Sequence, residues 1–132
     1  MPTLAESNGK AARNGRFAEI AASVDFATEI ATNALIDGTY DGKPLEVKAC
    51  MAWITDSHNS KLRRRGRFFL QRFQHARLLE TDGNYAFYVL DEDGEVFCAK
   101  LVSARWLEAM GMVKPRGSSQ IVWTRLWQEL GV

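Results

Sequence analysis

The sequence predicts an α/β fold in which helices flank a central mixed β-sheet. Three observations carry this. Asp41-Gly42 separates two strand-like runs, 33–40 and 43–53. A second pair of apolar runs, 85–91 and 95–102, brackets a turn at 91–94. Segments with helical spacing precede, separate and follow these pairs, the order expected of layered α/β domains.

In chain order, residues 13–24 place Phe17, Ile20, Ala21 and Val24 at helical spacing behind Asn14 or Gly15, so a helix is expected there. Residues 25–32 alternate Phe26, Thr28 and Ile30 and read as a strand. The runs on either side of Asp41-Gly42 form a hairpin, because a type I′ turn needs positive φ at both central positions and Asp-Gly supplies it. Residues 53–66 read as a polar, basic loop. Residues 67–80 read as one helix, with Phe69, Phe73 and Ala76 on its core face and Gln71, Gln74 and His75 on the opposite one. The runs 85–91 and 95–102 are so apolar that both are expected to be covered on both faces. Residues 103–111 form a helix that Ser103 caps and Gly111 stops. Residues 118–124 give a short strand and 125–130 a last helical turn or two. Trp106, Trp123 and Trp127 are expected in the core.

At 132 residues the chain is expected to hold one domain, 13–132, behind a polar and flexible stretch, 1–12. No apolar segment resembles a secretory leader or a membrane span, so a cytoplasmic protein of a prokaryotic or viral host cell is expected. Cys50 and Cys98 have neither metal-ligand spacing nor a disulfide framework around them. The net charge of +1 says nothing about partners, but its distribution does. No acid occurs between Ser57 and Leu79, a window holding Lys61, Arg63, Arg64, Arg65, Arg67, Arg72 and Arg77. Such a segment suits phosphates. It serves equally well as a solvated loop and helix face.

The hairpin carries the chemistry. With a two-residue loop, Tyr40 pairs with Lys43, Thr39 with Pro44 and Gly38 with Leu45. Asp37 then falls opposite Glu46 in a non-hydrogen-bonded pair, the kind that brings side chains closest. Lys48 shares the face of Glu46. Two facing carboxylates repel, and a divalent cation reverses the sign of that interaction. Hard oxygen ligands suit Mg²⁺, with Mn²⁺ as a substitute. An amine beside them can orient a nucleophile or offset charge in a transition state. The same three charges on an exposed hairpin would merely confer solubility. Leu45, Val47 and Ala49 argue otherwise, since they make the opposite face of the strand apolar.

Asp37, eight intervening residues and then Glu46-Val47-Lys48 resemble the PD-(D/E)xK signature of restriction-endonuclease-like nucleases. In size and element order, residues 13–102 are similar to archaeal Holliday junction resolvases and related small nucleases. One position departs from the signature: Ile36, not proline, precedes Asp37. The resemblance implies a restriction-endonuclease-like fold and Mg²⁺-dependent hydrolysis of DNA phosphodiester bonds. It makes Asp37 and Glu46 metal ligands, the carbonyl of Val47 a third ligand and Lys48 the catalytic lysine. Glu19 on the first helix matches the glutamate that completes such sites as catalytic residue and ligand, with Glu29 its rival.

A nuclease of this kind would grip backbone phosphates with Lys61, Arg63, Arg64, Arg65 and Arg67, and with Gln71 or His75 from the following helix. A chain of this size leaves no room for a separate sequence-reading domain, so branched DNA is the expected substrate. A homodimer would supply two active sites for two strands. The rival reading is a non-catalytic nucleic-acid-binding subunit with the same fold.

Overall fold

The computed structural model of the chain describes residues 29–30, 38–55, 58 and 61–131. The expected helix over 13–24, the flexible stretch 1–12, Glu19 and Asp37 lie outside the described residues.

The main sheet has five strands, which lie side by side in chain order. Its first strands are β1 (Glu29–Ile30), β2 (Gly38–Tyr40) and β3 (Lys43–Met51), and it is completed by β7 (Asn84–Leu90) and β8 (Val96–Ser103). β3 and β7 run parallel, from Leu45 opposite Asn84 to Met51 opposite Leu90, and the other pairs are antiparallel. This is the mixed sheet of a restriction-endonuclease-like fold. The Asp-Gly hairpin forms in the predicted register, Tyr40 with Lys43, Thr39 with Pro44 and Gly38 with Leu45. Asp41 (φ 53°) and Gly42 (φ 73°) both take the left-handed conformation that a type I′ turn demands. Pro44 costs the sheet nothing, because pairing with β7 begins one residue later, at Leu45.

The crossover from β3 to β7 departs from expectation in two places. Residues 53–66 are not a loop throughout. Trp53–Thr55 (β4) and Arg63–Arg65 (β5) pair as an antiparallel ribbon. Residues 67–80 are not one helix either. Arg67–Gln71 is a strand (β6), paired with Ser118–Val122 (β9), and the helix α1 spans only Arg72–Glu80. The core assignment changes with it. Phe68 and Leu70 alternate into the core at 0% exposure, whereas Phe69 and Phe73 are each 57% exposed. Burial of both faces holds for β7, from Tyr85 to Leu90, but not for β8, whose Val96 and Phe97 are exposed.

Two further helices finish the fold. Ala104–Ala109 (α2) is capped by the Ser103 hydroxyl, which accepts from the Trp106 N–H at 3.1 Å, and Gly111 (φ 69°) follows its end. Trp123–Leu130 (α3) closes the chain. Leu78, Leu107 and Leu126 pack from α1, α2 and α3 against Phe87, Val89, Phe68 and Ile121. Each such leucine contributes about 1.5–3 kcal/mol of burial. Trp123 belongs to this core, with Trp106 and Trp127 partly buried against it. Leu45, Ala86, Tyr88 and Leu90 form a separate cluster on the other sheet face. Between β5 and β6, Gly66 lies so near β3 that a Cβ there would sit 1.9 Å from the Met51 carbonyl oxygen. No helix among the described residues is long and apolar enough to cross a membrane.

Candidate active site

Alternation along β3 sends Leu45 to one face of the sheet and Glu46 and Lys48 to the other, the face that α1 covers. Glu46 is only 4% exposed. A carboxylate so deep in a sheet is costly unless cations or donors compensate it. Lys48 compensates it: its Nζ lies 3.3 Å from Glu46 Oε1. The same Nζ donates to Gln74 Oε1 on α1, also at 3.3 Å. The amine thus stands between a buried carboxylate and a neutral amide, with 18% of the side chain exposed. Val47, between the two site residues, pairs with Ala86 in the ladder and packs with the opposite cluster.

Beside Glu46 in the register stands Tyr85. Its ring is fully buried, and its phenol is pushed far above the usual range, first by burial and then by the Glu46 charge. The hydroxyl meets His75 Nδ1 at 2.8 Å, and His75 Nε2 meets Glu108 Oε2 at 2.9 Å. Arg72 holds both carboxylate oxygens of Glu108, at 2.9 and 3.3 Å. This pairing keeps the Glu108 carboxyl below its ordinary range. An ionised carboxylate only accepts, so Nε2 carries the imidazole proton. Nδ1 then accepts from the Tyr85 O–H. Burial holds the imidazole below its usual pKa, against the opposing pull of Glu108. His75 is therefore neutral, with its tautomer fixed from both sides.

His75 accordingly does not sit on an outward face. It is 0% exposed and touches α2 and β7, so it cannot contact a phosphate. Starting the helix at Arg72 rather than at 67 leaves Gln71 exposed at the end of β6 and turns Gln74 toward Lys48. Of the three polar residues grouped at this helix, Gln74 reaches the site. The Phe68-x-Leu70 alternation was the sequence signal that could have set this phase. Nothing local pointed to Tyr85 and Glu108, which come from β7 and α2.

The basic residues are scattered. Lys61 is exposed and Arg64 half-buried. Arg63 pairs with Glu92. The Arg65 guanidinium lies 3.7 Å from the centroid of Trp53 and 5.4 Å from that of Trp123. Arg67 donates to Gln120 at 3.1 Å. Glu29 stands in β1 opposite Thr39, within the segment that the sequence reads as a strand.

Among the described residues no three His, Cys, Asp or Glu side chains converge as a metal cluster. Mg²⁺ usually takes only one or two carboxylates from a protein and fills its shell with water and phosphate oxygens. The buried carboxylate of Glu46 is a hard-oxygen donor of that kind, and with one further acid it fits the requirement. The two thiols do not compete for such an ion. Cys50 and Cys98 are free, and burial pushes the Cys50 thiol up to about 12.

A mixed sheet, a parallel crossover through α1 and a Glu-x-Lys strand facing that helix define a nuclease-like site. Residues 5–127 match the family model described as the PD-(D/E)XK nuclease superfamily domain, and the chain belongs to that superfamily. No curated protein matches the sequence.

Proposed function

We propose that this chain is a metal-dependent DNA endonuclease that hydrolyses phosphodiester bonds in branched substrates, in the manner of a Holliday junction resolvase. The observation that carries the reading is the Lys48 amine, held at 3.3 Å from both Glu46 and Gln74. Glu46 and Asp37 would hold Mg²⁺, or Mn²⁺ in its place, with the Val47 carbonyl as a third ligand and Glu19 completing the set. The ion, when bound, would acidify the attacking water and neutralise charge on the phosphate. Lys48 would orient that water and offset the charge that develops on the phosphoryl oxygens. Gln74 keeps the amine from folding onto Glu46 alone. Glu46 is almost closed to solvent, so a metal bound there would be held in a low-dielectric site. A homodimer would bring two such sites to two strands.

The test is cleavage of supercoiled plasmid and of a synthetic four-way junction, with Mg²⁺ or with chelator. The wild type is expected to cut only with metal. Glu46→Ala and Lys48→Ala are expected to lower the rate at least about 10²–10³-fold, as for loss of a charge-stabilising group. Junction binding without cutting would instead make the protein a non-catalytic binding subunit. Cutting that survives both substitutions would remove the site from the reaction.

A further inference from the structure

The basic window between residues 57 and 79 offers itself as the phosphate grip, yet the fold ties up most of its cations. Arg63 pairs with Glu92, Arg65 lies on Trp53, Arg67 donates to Gln120 and Arg72 is bidentate on Glu108. β5, which carries Arg63 to Arg65, pairs with β4, and β4 starts five residues beyond Lys48. At about 3.3 Å per strand residue that is on the order of 15 Å from the amine. The ribbon thus begins beyond the C-terminal end of β3, with two of its three arginines already engaged.

Arg77 differs on both counts. It is exposed, and among the described residues its guanidinium has no hydrogen-bond or ionic partner. Its position on α1 follows from the helix period. His75 and Leu78 are buried against the sheet, and Gln74 reaches sideways to Lys48. At about 100° per residue Arg77 lies about 60° from Gln74, on the solvent side, one turn further along. Residues at this spacing are neighbours, with Cβ atoms about 5–6 Å apart. α1 leads through a short turn into β7, which is parallel to β3, so α1 runs antiparallel to β3. Moving from Gln74 to Arg77 therefore moves from Lys48 toward Glu46.

We propose that Arg77 is the principal phosphate-binding residue beside the site, its guanidinium clasping a DNA backbone phosphate next to the one attacked. Arginine suits the task, since its planar fork matches two phosphate oxygens and stays charged at all working pH values. The role presupposes the nuclease function proposed above. It also shifts the substrate contact from the arginine-rich ribbon to the helix that carries Gln74.

The experiment measures binding of a fluorescently labelled four-way junction in Ca²⁺, across a salt series, together with steady-state cleavage in Mg²⁺. Loss of one phosphate contact is expected to lower the slope of log K against log salt by about 0.9. Arg77→Ala is expected to weaken binding about tenfold at 0.1 M salt and to raise KM with kcat nearly unchanged, the signature of a contact made equally in ground and transition states. Arg77→Lys should recover the salt slope but not the full affinity, and Arg63→Ala should stay within about twofold of wild type. Wild-type cleavage with an Arg77→Ala variant that keeps its affinity and slope overturns the assignment and leaves the nuclease reading standing. Binding that depends on Arg77 without any cleavage does the reverse. A wild type that neither binds nor cuts overturns both.

Discussion

Cations meet very different company inside β3 and just past its end. In its second half, Lys48 stands half-buried between Glu46 and Gln74, with two polar partners. Just past its end, Arg65 lies between two indoles, with Trp53 itself 40% exposed. The first arrangement is electrostatically costly, because it holds an ion pair largely out of water. The second is cheap and keeps the charge engaged, because a guanidinium stacked on indole rings still reaches water at its edges. A run of arginines is thus a poor guide to which cations the fold leaves unengaged. The partner of each cation decides.

That contrast can be broken at its hinge, the strand β6 joining the ribbon to α1. Phe68→Ala is expected to cost about 3–5 kcal/mol, the range for a truncated core aromatic. Phe69→Ala next to it should stay within about 0.5 kcal/mol. Urea unfolding of both variants checks the pair, and the opposite order would restore a single helix over 67–80 and unseat Gln74 from the site. A second substitution sharpens the cost at the active end. Replacing Glu46 and Lys48 together by Leu and Met should leave stability unchanged or raise it by about 1–4 kcal/mol while abolishing activity, because buried ion pairs are often less stabilising than apolar residues of similar size. A double variant markedly less stable than wild type would mean that the pair holds the sheet together rather than serving chemistry.

At the ribbon, Arg65→Ala should cost about 1–2 kcal/mol and expose the amides of 53–55 and 63–65 to hydrogen exchange, leaving β7 protected. Arg63→Ala, which loses only an exposed pair with Glu92, should cost at most about 1 kcal/mol. The smallest effect is a pH dependence. His75 has a folded-state pKa below the 6.5 of a free imidazole. The unfolded chain therefore takes up a proton near that pH while the folded chain still refuses it, so stability is full above this window and falls as pH drops through it. Below about pH 4.5 the Glu108 carboxyl, held low chiefly by Arg72, acts in the same direction. Melting temperatures between pH 7 and 5.5 should fall for wild type and flatten for His75→Gln. An unchanged slope would show that the imidazole does not titrate as its burial requires.

What could be read from the sequence follows the range of the forces involved. The hairpin at Asp41-Gly42 and the capped helix at Ser103 were legible, because turn and cap chemistry act within a few residues. The segment 67–80 carries two periods at once: Phe69, Phe73 and Ala76 satisfy a helical one, while Phe68 and Leu70 satisfy that of a strand. The choice between them is made by β9, some fifty residues away in sequence. The ribbon leaves little local signal, because its strands are three residues long, β5 is all arginine, and each pairs only with the other. His75 looked like a surface residue because both of its partners, Tyr85 and Glu108, are supplied by distant elements. The acid and amine of β3 were legible as a pair, whereas the amide that completes their contact had to await the true phase of α1.

The pinch at Gly66 reaches beyond local packing. With the Met51 oxygen 1.9 Å from where a methyl would begin, even alanine would act as a wedge, prying the arginine ribbon from the central sheet and pushing α1 off Lys48. Saturation mutagenesis at this codon would then return glycine as the one amino acid that leaves the chain folded, although no atom of residue 66 belongs to the candidate site.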